Sequence, residues 1–351
     1  MKLEALVLLF LLVVFSVSSS GSAQRTLDGG TFTNPLLPVG PDPWVVTHDG
    51  FYYYMNTMGS NLTIWKTKDL GDLAHAEKKK VWTPPAGDAY NHDIWAPELH
   101  RWNDKWYIYY AADMGKNESH RIFVLENASA DPLEGTWTAR GKVGDATDKW
   151  AIDASVFDVN GTQYLLWSGW EGDQDGEQRI YLARLKNPWT VDSQRMVVSF
   201  PKYPWEHVGD LLDRPDTPHV NVNEGPEALV HDGKVFVVYS GSACWTDYYE
   251  LGVVEADVDS DLLKPESWKK FDHPFFKQDA EANVFGPGHN GFFKSLDGKE
   301  DWIIFHANPG KNEGCGNMRS PRMQRFTWNA DGTPDFGKPV AAGVPLKKPS
   351  H

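Results

Sequence analysis

Cysteine, cationic charge and long apolar runs are scarce in this 351-residue sequence. The two cysteines, Cys244 and Cys315, are too few for a metal cluster and leave either one disulfide or two separate buried thiols. Lysine and arginine total 34 against 48 aspartates and glutamates, a formal net charge of −14. Such a chain has no basic excess for a phosphate backbone, which argues against a nucleic-acid partner. The one pronounced apolar run, Ala5 to Phe15, follows Lys2 and precedes the small, polar stretch Ser16 to Ala23. That order is the n-, h- and c-region pattern of a secretory signal peptide, with Gly21-Ser22-Ala23 as the cleavage site. Residues 1–23 are therefore expected to be removed, leaving 24–351 as the mature, secreted and extracellular chain. The run is too short to span a bilayer and no later segment is apolar enough, so no membrane partner is expected. In an oxidising compartment the disulfide becomes the leading reading of Cys244 and Cys315, and the sequons at Asn61, Asn117, Asn127 and Asn160 become candidate glycosylation sites.

Long amphipathic helices and a βαβ rhythm are missing too. In their place stand 16 Trp, 31 Gly, 23 Pro and 13% aromatic residues, a composition that excludes disorder and coiled coil and suits a β-rich protein. One pattern recurs five times: an apolar strand, a polar turn, then a strand dense in aromatic and β-branched residues. Its copies begin at Asp42 (DPWVVTHDGFYYYMNT), Ala96 (APELHRWNDKWYIYYAAD), Asp153 (DASVFDVNGTQYLLWSG), Glu224 (EGPEALVHDGKVFVVYSGS) and Gly286 (GPGHNGFFKSLDGKEDWIIFHAN). Their turns, Asp49-Gly50, Asn103-Asp104, Asn160-Gly161, Asp232-Gly233 and Asp297-Gly298, lie 54, 57, 72 and 65 residues apart. Asn-Gly and Asp-Gly tolerate the positive φ of tight hairpins. Each interval has room for about four short strands, the size of a propeller blade. Runs at Leu62, Arg121, Arg179 and Glu250 read as third strands. The predicted fold is all-β, one five-bladed β-propeller, with the segment from Arg322 helping to close the ring. Two packed β-sandwich domains are the alternative. Five copies at similar spacing, with no Pro/Ser-rich linker between halves, argue against it.

In a propeller the first strand of each blade lines the central channel, so equivalent positions sit at equivalent depth. Seven or eight residues before each turn stand Asp42, Trp95-Ala96, Asp153, Glu224 and His289. Three carboxyls aimed at one axis repel one another and resist desolvation, a cost that a merely structural position does not require. Acetal hydrolysis uses such a set: a carboxylic acid of raised pKa protonates the leaving oxygen, and a carboxylate activates water or attacks carbon. Tryptophans near these strands (Trp44, Trp95, Trp167, Trp170 and Trp245) supply stacking surfaces for a sugar. Trp95 is the strongest candidate by its repeat position.

At these residues the sequence resembles glycoside hydrolase family 43, from TFTNPLLPVGPDPWV through the RSPRMQ segment. The likeness rests on four motifs in order: DPWV, WAPE, IDASVF and EGPE. It implies a five-bladed propeller acting on arabinosides or xylosides, with Asp42 the general base, Glu224 the general acid, and Asp153 the residue that raises and orients the acid. Inversion at the anomeric centre would require a separation of roughly 6.5–9.5 Å between base and acid. The resemblance implies no required cofactor. His289 would help hold a hydrated calcium through water, or else stay neutral and fix strand geometry. Arg319 or Arg322 would reach the substrate or the acid. WTPPAG, LENASADPLEGTW, TDKWAID and NADGTPDFG are similar to secreted α-L-arabinofuranosidases active on arabinan. β-Xylosidases of the family usually add a β-sandwich module, for which this sequence leaves no residues. The expected partner is an arabinose-containing polysaccharide or oligosaccharide, with a monomer as the default. Residues 201–222 and 171–179 form long loops that would wall a cleft into a pocket and favour exo-action. A β-xylosidase and an endo-arabinanase of the same family are the alternatives. The signatures of fructan hydrolases are absent, and a non-catalytic carbohydrate-binding propeller would have no reason to keep three inward acids.

Overall fold

A computed structural model describes residues 30–174, 176–208 and 220–351; the expected signal peptide and residues 209–219 of the long loop lie outside them. Among the described residues five antiparallel sheets follow one another along the chain. Blade I is Trp44–His48, Phe51–Met55, Leu62–Thr67 and Glu77–Trp82; blade II is His92–Trp102, Lys105–Asp113, Arg121–Asn127 and Thr138–Val143. Blade III is Ala151–Val159, Thr162–Trp170 and Gln178–Asn187, with Thr190–Val191 and Met196–Ser199 both on its outer edge. Blade IV is Asn223–His231, Lys234–Gly241, Glu250–Asp257 and Lys269–Lys270, and blade V is Phe285–Lys294, Asp301–Asn308, Ser320–Trp328 and Pro334–Asp335. The five-bladed propeller expected from the repeats is the fold.

The turn chemistry decides the hairpins. Asp49-Gly50, Asn103-Asp104, Asn160-Gly161 and Asp232-Gly233 carry positive φ at both positions, the two-residue turn that matches strand twist. Blade V departs from this: only Gly298 is left-handed there. Its longer loop closes with Gly298 N–H donating to the Ser295 carbonyl at 2.8 Å.

Each sheet is apolar on both faces, so each must be covered twice, and the ring arrangement does this. Trp44, Tyr53 and Met55 of blade I pack on Ile94, Leu99, Trp106 and Ile108 of blade II. Equivalent layers join blades II to III, III to IV, IV to V and V to I. Most tryptophans serve these layers, Trp44 and Trp167 among them.

Ring closure uses both ends of the described chain. The segment from Arg322 is the outer half of blade V itself, and the chain's N-terminal part docks on it. Asn34 exchanges two 2.9 Å hydrogen bonds with the Met323 backbone, Leu36 N–H donates to the Pro321 carbonyl at 2.8 Å, and Thr31–Phe32 pairs with Leu346–Lys347. Where the long loop enters, Pro204–His207 forms a 3-10 turn that buries Glu206 completely. Its carboxylate accepts from the backbone of Lys202 and Tyr203, from Asn223 Nδ2 and Tyr239 Oη, and from Lys270. The residue before Glu224 is thereby locked in place.

Candidate active site

The first strands share one backbone device. Ala96, Asp153, Gly225 and His289 have φ between +42° and +57°, and the ladder slips at each of them. Asp42, just before blade I, has φ +57°. A left-handed non-glycine residue costs on the order of 1–3 kcal/mol, and such strain gathers at functional sites. At these bulges the peptide N–H turns out of the ladder and needs another acceptor. Four find one on the preceding blade. Asp42 N–H donates to His306 Nδ1 (3.0 Å), Ala96 N–H to Thr57 Oγ1 (2.7 Å), Gly225 N–H to Asp153 Oδ2 (2.9 Å) and His289 N–H to Ser240 Oγ (2.8 Å). These bonds bind blade V to I, I to II, III to IV and IV to V at the depth of the site.

The device also corrects the repeat alignment. The residue level with Asp42 and Asp153 is Gly225, with Glu224 one position earlier, where blade II has Trp95. Glycine relieves strain at 225, where φ is +56° and a Cβ would come 3.2 Å from the His289 ring.

Asp42, Asp153 and Glu224 line one cavity of about 360 Å³. Trp95, Trp150, Gln178, Trp245, His289 and Arg319 complete much of its wall, together with both cysteines. Trp95 is propped from behind by His120, ring on ring at 4.1 Å. Trp170 is not at the surface of this cavity. It is 1% exposed and lies flat against Trp150, centroids 4.5 Å apart, so Trp150 is the ring that faces inward. Arg322 is likewise misplaced by the sequence reading. It is 1% exposed on the third strand of blade V, away from the cavity, whereas Arg319 reaches Asp42 Oδ1 with Nη1 at 3.1 Å.

The environments of the three carboxyls diverge. Burial would raise Asp42, but His289, Arg319, His306 and the Thr57 hydroxyl outweigh it and hold the group well below its ordinary value. Burial also lowers both histidines, so the lasting cation is Arg319. Burial pushes Glu224 up to about 7, with the Asp42 charge adding to it and Tyr249 and Arg319 opposing. Asp153 is raised well above its usual range by burial, then by Glu224 and Asp42. At neutral pH Asp42 is ionised and the Asp153–Glu224 pair retains a proton. An ionised and a protonated carboxyl facing one cavity is the division of labour that acetal hydrolysis needs.

Three residues beyond Trp95, Ile152 and Glu224 stand Glu98, Ser155 and Glu227, a second polar layer. Ser155 Oγ donates to Glu227 Oε2 at 2.9 Å, and Glu98 Oε2 lies 2.8 Å from His100 Nε2. Burial raises both glutamates well above their ordinary values.

Among the described residues no three His, Cys, Asp or Glu side chains group as a metal site, and His289 turns Nδ1 toward Asp42 Oδ1 at 3.3 Å. This set does not fit a metal held by direct side-chain ligands. Of the sequons, Asn117 and Asn160 are exposed and Asn61 is half-buried. Asn127 is a correction: it is 1% exposed and its amide donates to the Glu134 carbonyl at 2.7 Å, which leaves no room for a glycan.

Cys244 and Cys315 form a disulfide, Cα atoms 5.2 Å apart. It is more than a staple, because both cysteines line the cavity and the bridge ties the rim loop of blade IV to the loop that delivers Arg319. Asn312 N–H donating to Asp247 Oδ1 at 2.9 Å joins the same two loops. Replacing both cysteines by serine is expected to raise KM for a sugar substrate several-fold and to lower stability by about 2–4 kcal/mol. Michaelis kinetics and a thermal melt, each compared with the wild type, measure the two effects. An unchanged KM would mean that hydrogen bonds alone hold this wall.

With this cavity described, the comparisons with known proteins take on meaning. The model of glycosyl hydrolases family 43 matches residues 32–334. The chain belongs to glycosyl hydrolase family 43. It is 38% identical over 322 residues to an extracellular exo-α-(1→5)-L-arabinofuranosidase of Streptomyces avermitilis, covering 90% of this chain and 65% of that protein. A protein of the same name from Streptomyces chartreusis is 37% identical, with 82% of this chain and 85% of that one covered. The crystal structure of an α-L-arabinofuranosidase from Lactobacillus brevis superposes with a TM-score of 0.81 at 34% identity, over 89% of this chain and 98% of the other. The chain thus spans just under two thirds of the length of the Streptomyces avermitilis relative. Among the described residues no helix is long and apolar enough to cross a membrane.

Thr57, Trp150 and the cysteine wall were not found by sequence reasoning. Trp150 stands two residues before Ile152 of the IDASVF motif and carried a usable signal. Thr57 closes the first copy of the repeat, where nothing in the sequence marks it as a partner of Asp42.

Proposed function

We propose that the protein is a secreted, inverting glycoside hydrolase that releases L-arabinose from the α-L-arabinofuranosyl ends of arabinan or arabino-oligosaccharides. The observation that carries this reading is the split protonation of carboxyls around one cavity: Asp42 held ionised, Glu224 raised to about 7. In the proposed step Asp42 takes a proton from water as that water attacks the anomeric carbon. The bond from that carbon to the glycosidic oxygen breaks, and Glu224 gives its proton to the departing oxygen. Asp153, itself raised by the Glu224 charge, shares the retained proton with Glu224 as the modulator of the acid and fixes the Gly225 backbone beside it. Trp95 and Trp150 offer faces for the sugar, and Arg319 keeps Asp42 charged. The names of the relatives support arabinose as the sugar, and the apolar run at the N-terminus supports secretion through a signal peptide, residues 1–23.

A cavity of about 360 Å³ is at the small end of ligand sites, roughly 300–1,000 Å³, which supports binding of a chain end over a long stretch of polymer. Product analysis on debranched arabinan, arabinoxylan and xylo-oligosaccharides tests the reading. The expected result is free arabinose from arabinan as the first product, with the inverted anomer seen first by proton NMR. Early arabino-oligosaccharides would mean endo-action, xylose would mean a xylosidase, and sugar binding without turnover would mean a lectin.

A further inference from the structure

The geometry points to Thr57 as a positioning residue for the base, an inference that rests on the assignment of Asp42 proposed above. Thr57 Oγ1 sits between two fixed groups. The Ala96 N–H donates to it at 2.7 Å, and Asp42 Oδ2 lies 2.6 Å away. A hydroxyl has one proton. The peptide N–H already occupies one acceptor site of the oxygen, and the ionised carboxylate can only accept, so the proton of Thr57 is directed at Asp42 Oδ2. The Thr57 backbone cannot drift either, because its N–H donates to the carbonyl of Pro41, the residue before the base.

The two carboxylate oxygens of Asp42 are consequently held from different sides. Oδ1 faces Arg319 Nη1 at 3.1 Å and His289 Nδ1 at 3.3 Å, while Oδ2 has Thr57. The torsion between Cβ and the carboxyl carbon of an aspartate is broad and soft. With one oxygen held, the group can swing toward Arg319 and form the forked pair that guanidinium prefers. Thr57 prevents that swing and keeps the carboxylate plane set for a water molecule. Thr57 also caps the bulge at Ala96, as Asp153, Ser240 and His306 cap three of the others. A purely structural account therefore predicts a different result: losing the cap would disturb Trp95 and weaken sugar binding.

Kinetics on 4-nitrophenyl α-L-arabinofuranoside separate the two accounts. Thr57→Val keeps the side-chain shape and removes the hydroxyl. It is expected to lower kcat about ten- to one-hundred-fold, the worth of one hydrogen bond to a charged group, with KM within about twofold. Thr57→Ser is expected to restore most of kcat, and a thermal melt checks that each variant is folded. If Thr57→Val does not fold, Thr57→Ala is measured in its place under the same criterion. A risen KM with kcat unchanged, or a kcat that Thr57→Ser fails to restore, overturns the inference. Asp42→Ala in the same assay separates this from the underlying reading. A dead Asp42 variant beside an unimpaired Thr57→Val overturns the role of Thr57 alone, whereas an active Asp42→Ala, or a wild type without turnover, removes both.

Discussion

Asp42→Ala is expected to lower kcat/KM by about 10²–10⁴-fold, the usual contribution of a positioned acid or base, and to do so equally on activated aryl arabinosides and on arabino-oligosaccharides. The reason for equality is that this carboxylate acts on the incoming water, whose deprotonation does not depend on which alcohol departs. Its surroundings are arranged for one protonation state: burial disfavours the charge, yet His289, Arg319 at 3.1 Å, His306 and the Thr57 hydroxyl at 2.6 Å together more than offset that penalty. The acid limb of the kcat/KM profile should accordingly lie below the normal carboxylate range. Alanine at 42 also leaves a space beside the anomeric carbon, opposite the departing oxygen. Azide is expected to enter it and restore turnover of the activated substrate, ending as a glycosyl azide of inverted configuration. Recovery with retained configuration would contradict a single displacement, and an Asp42→Ala enzyme with full activity would contradict the assignment altogether.

The repeats made the architecture legible because the same local chemistry was written five times. Asp49-Gly50, Asn103-Asp104, Asn160-Gly161 and Asp232-Gly233 dictate a left-handed pair, and nothing elsewhere in the fold competes with it. What the repeats could not show was the bulge. The ladder slips in the first strands of blades II to V, which a period-of-two reading has no means of detecting, although counting back seven residues from Asp232 reaches Gly225, not Glu224, as the equivalent of Asp42 and Asp153. The rings failed for a related reason. Trp150 and Trp170 are both in or beside strands of blade III, and only their mutual stacking decides which one meets the cavity and which supports it. Arg319 and Arg322 stand three positions apart. The first precedes its strand and is free to turn to Asp42, and the second is committed to the sheet. The cysteine wall joins residues 71 positions apart, and Thr57, although at the end of the first copy, meets Ala96 of the next, contacts that no single copy of the repeat contains.

Glu224→Ala should discriminate between substrates where Asp42→Ala does not. A general acid is needed in proportion to how poorly the leaving alcohol carries negative charge. Nitrophenolate departs without help, so turnover of the activated aryl substrate should fall modestly, whereas the alcohol of a second arabinose requires its proton and turnover should fall by about 10²–10⁴-fold. The same proton sets the alkaline limb. Glu224 acts when protonated, so activity is present below its pKa and is lost as pH rises through about 7. Because Asp153 is also raised and lies on the same charge network, the limb reports the Asp153–Glu224 pair, not a single carboxyl. Asp153→Asn removes the ionisable group while its amide oxygen can still accept from Gly225 N–H, as the carboxyl does at 2.9 Å, so the limb should move to lower pH and the oligosaccharide rate should fall more than the aryl rate. Equal losses on both substrates in Glu224→Ala would reassign the acid, and an alkaline limb unmoved by Asp153→Asn would show that burial alone keeps the proton on Glu224.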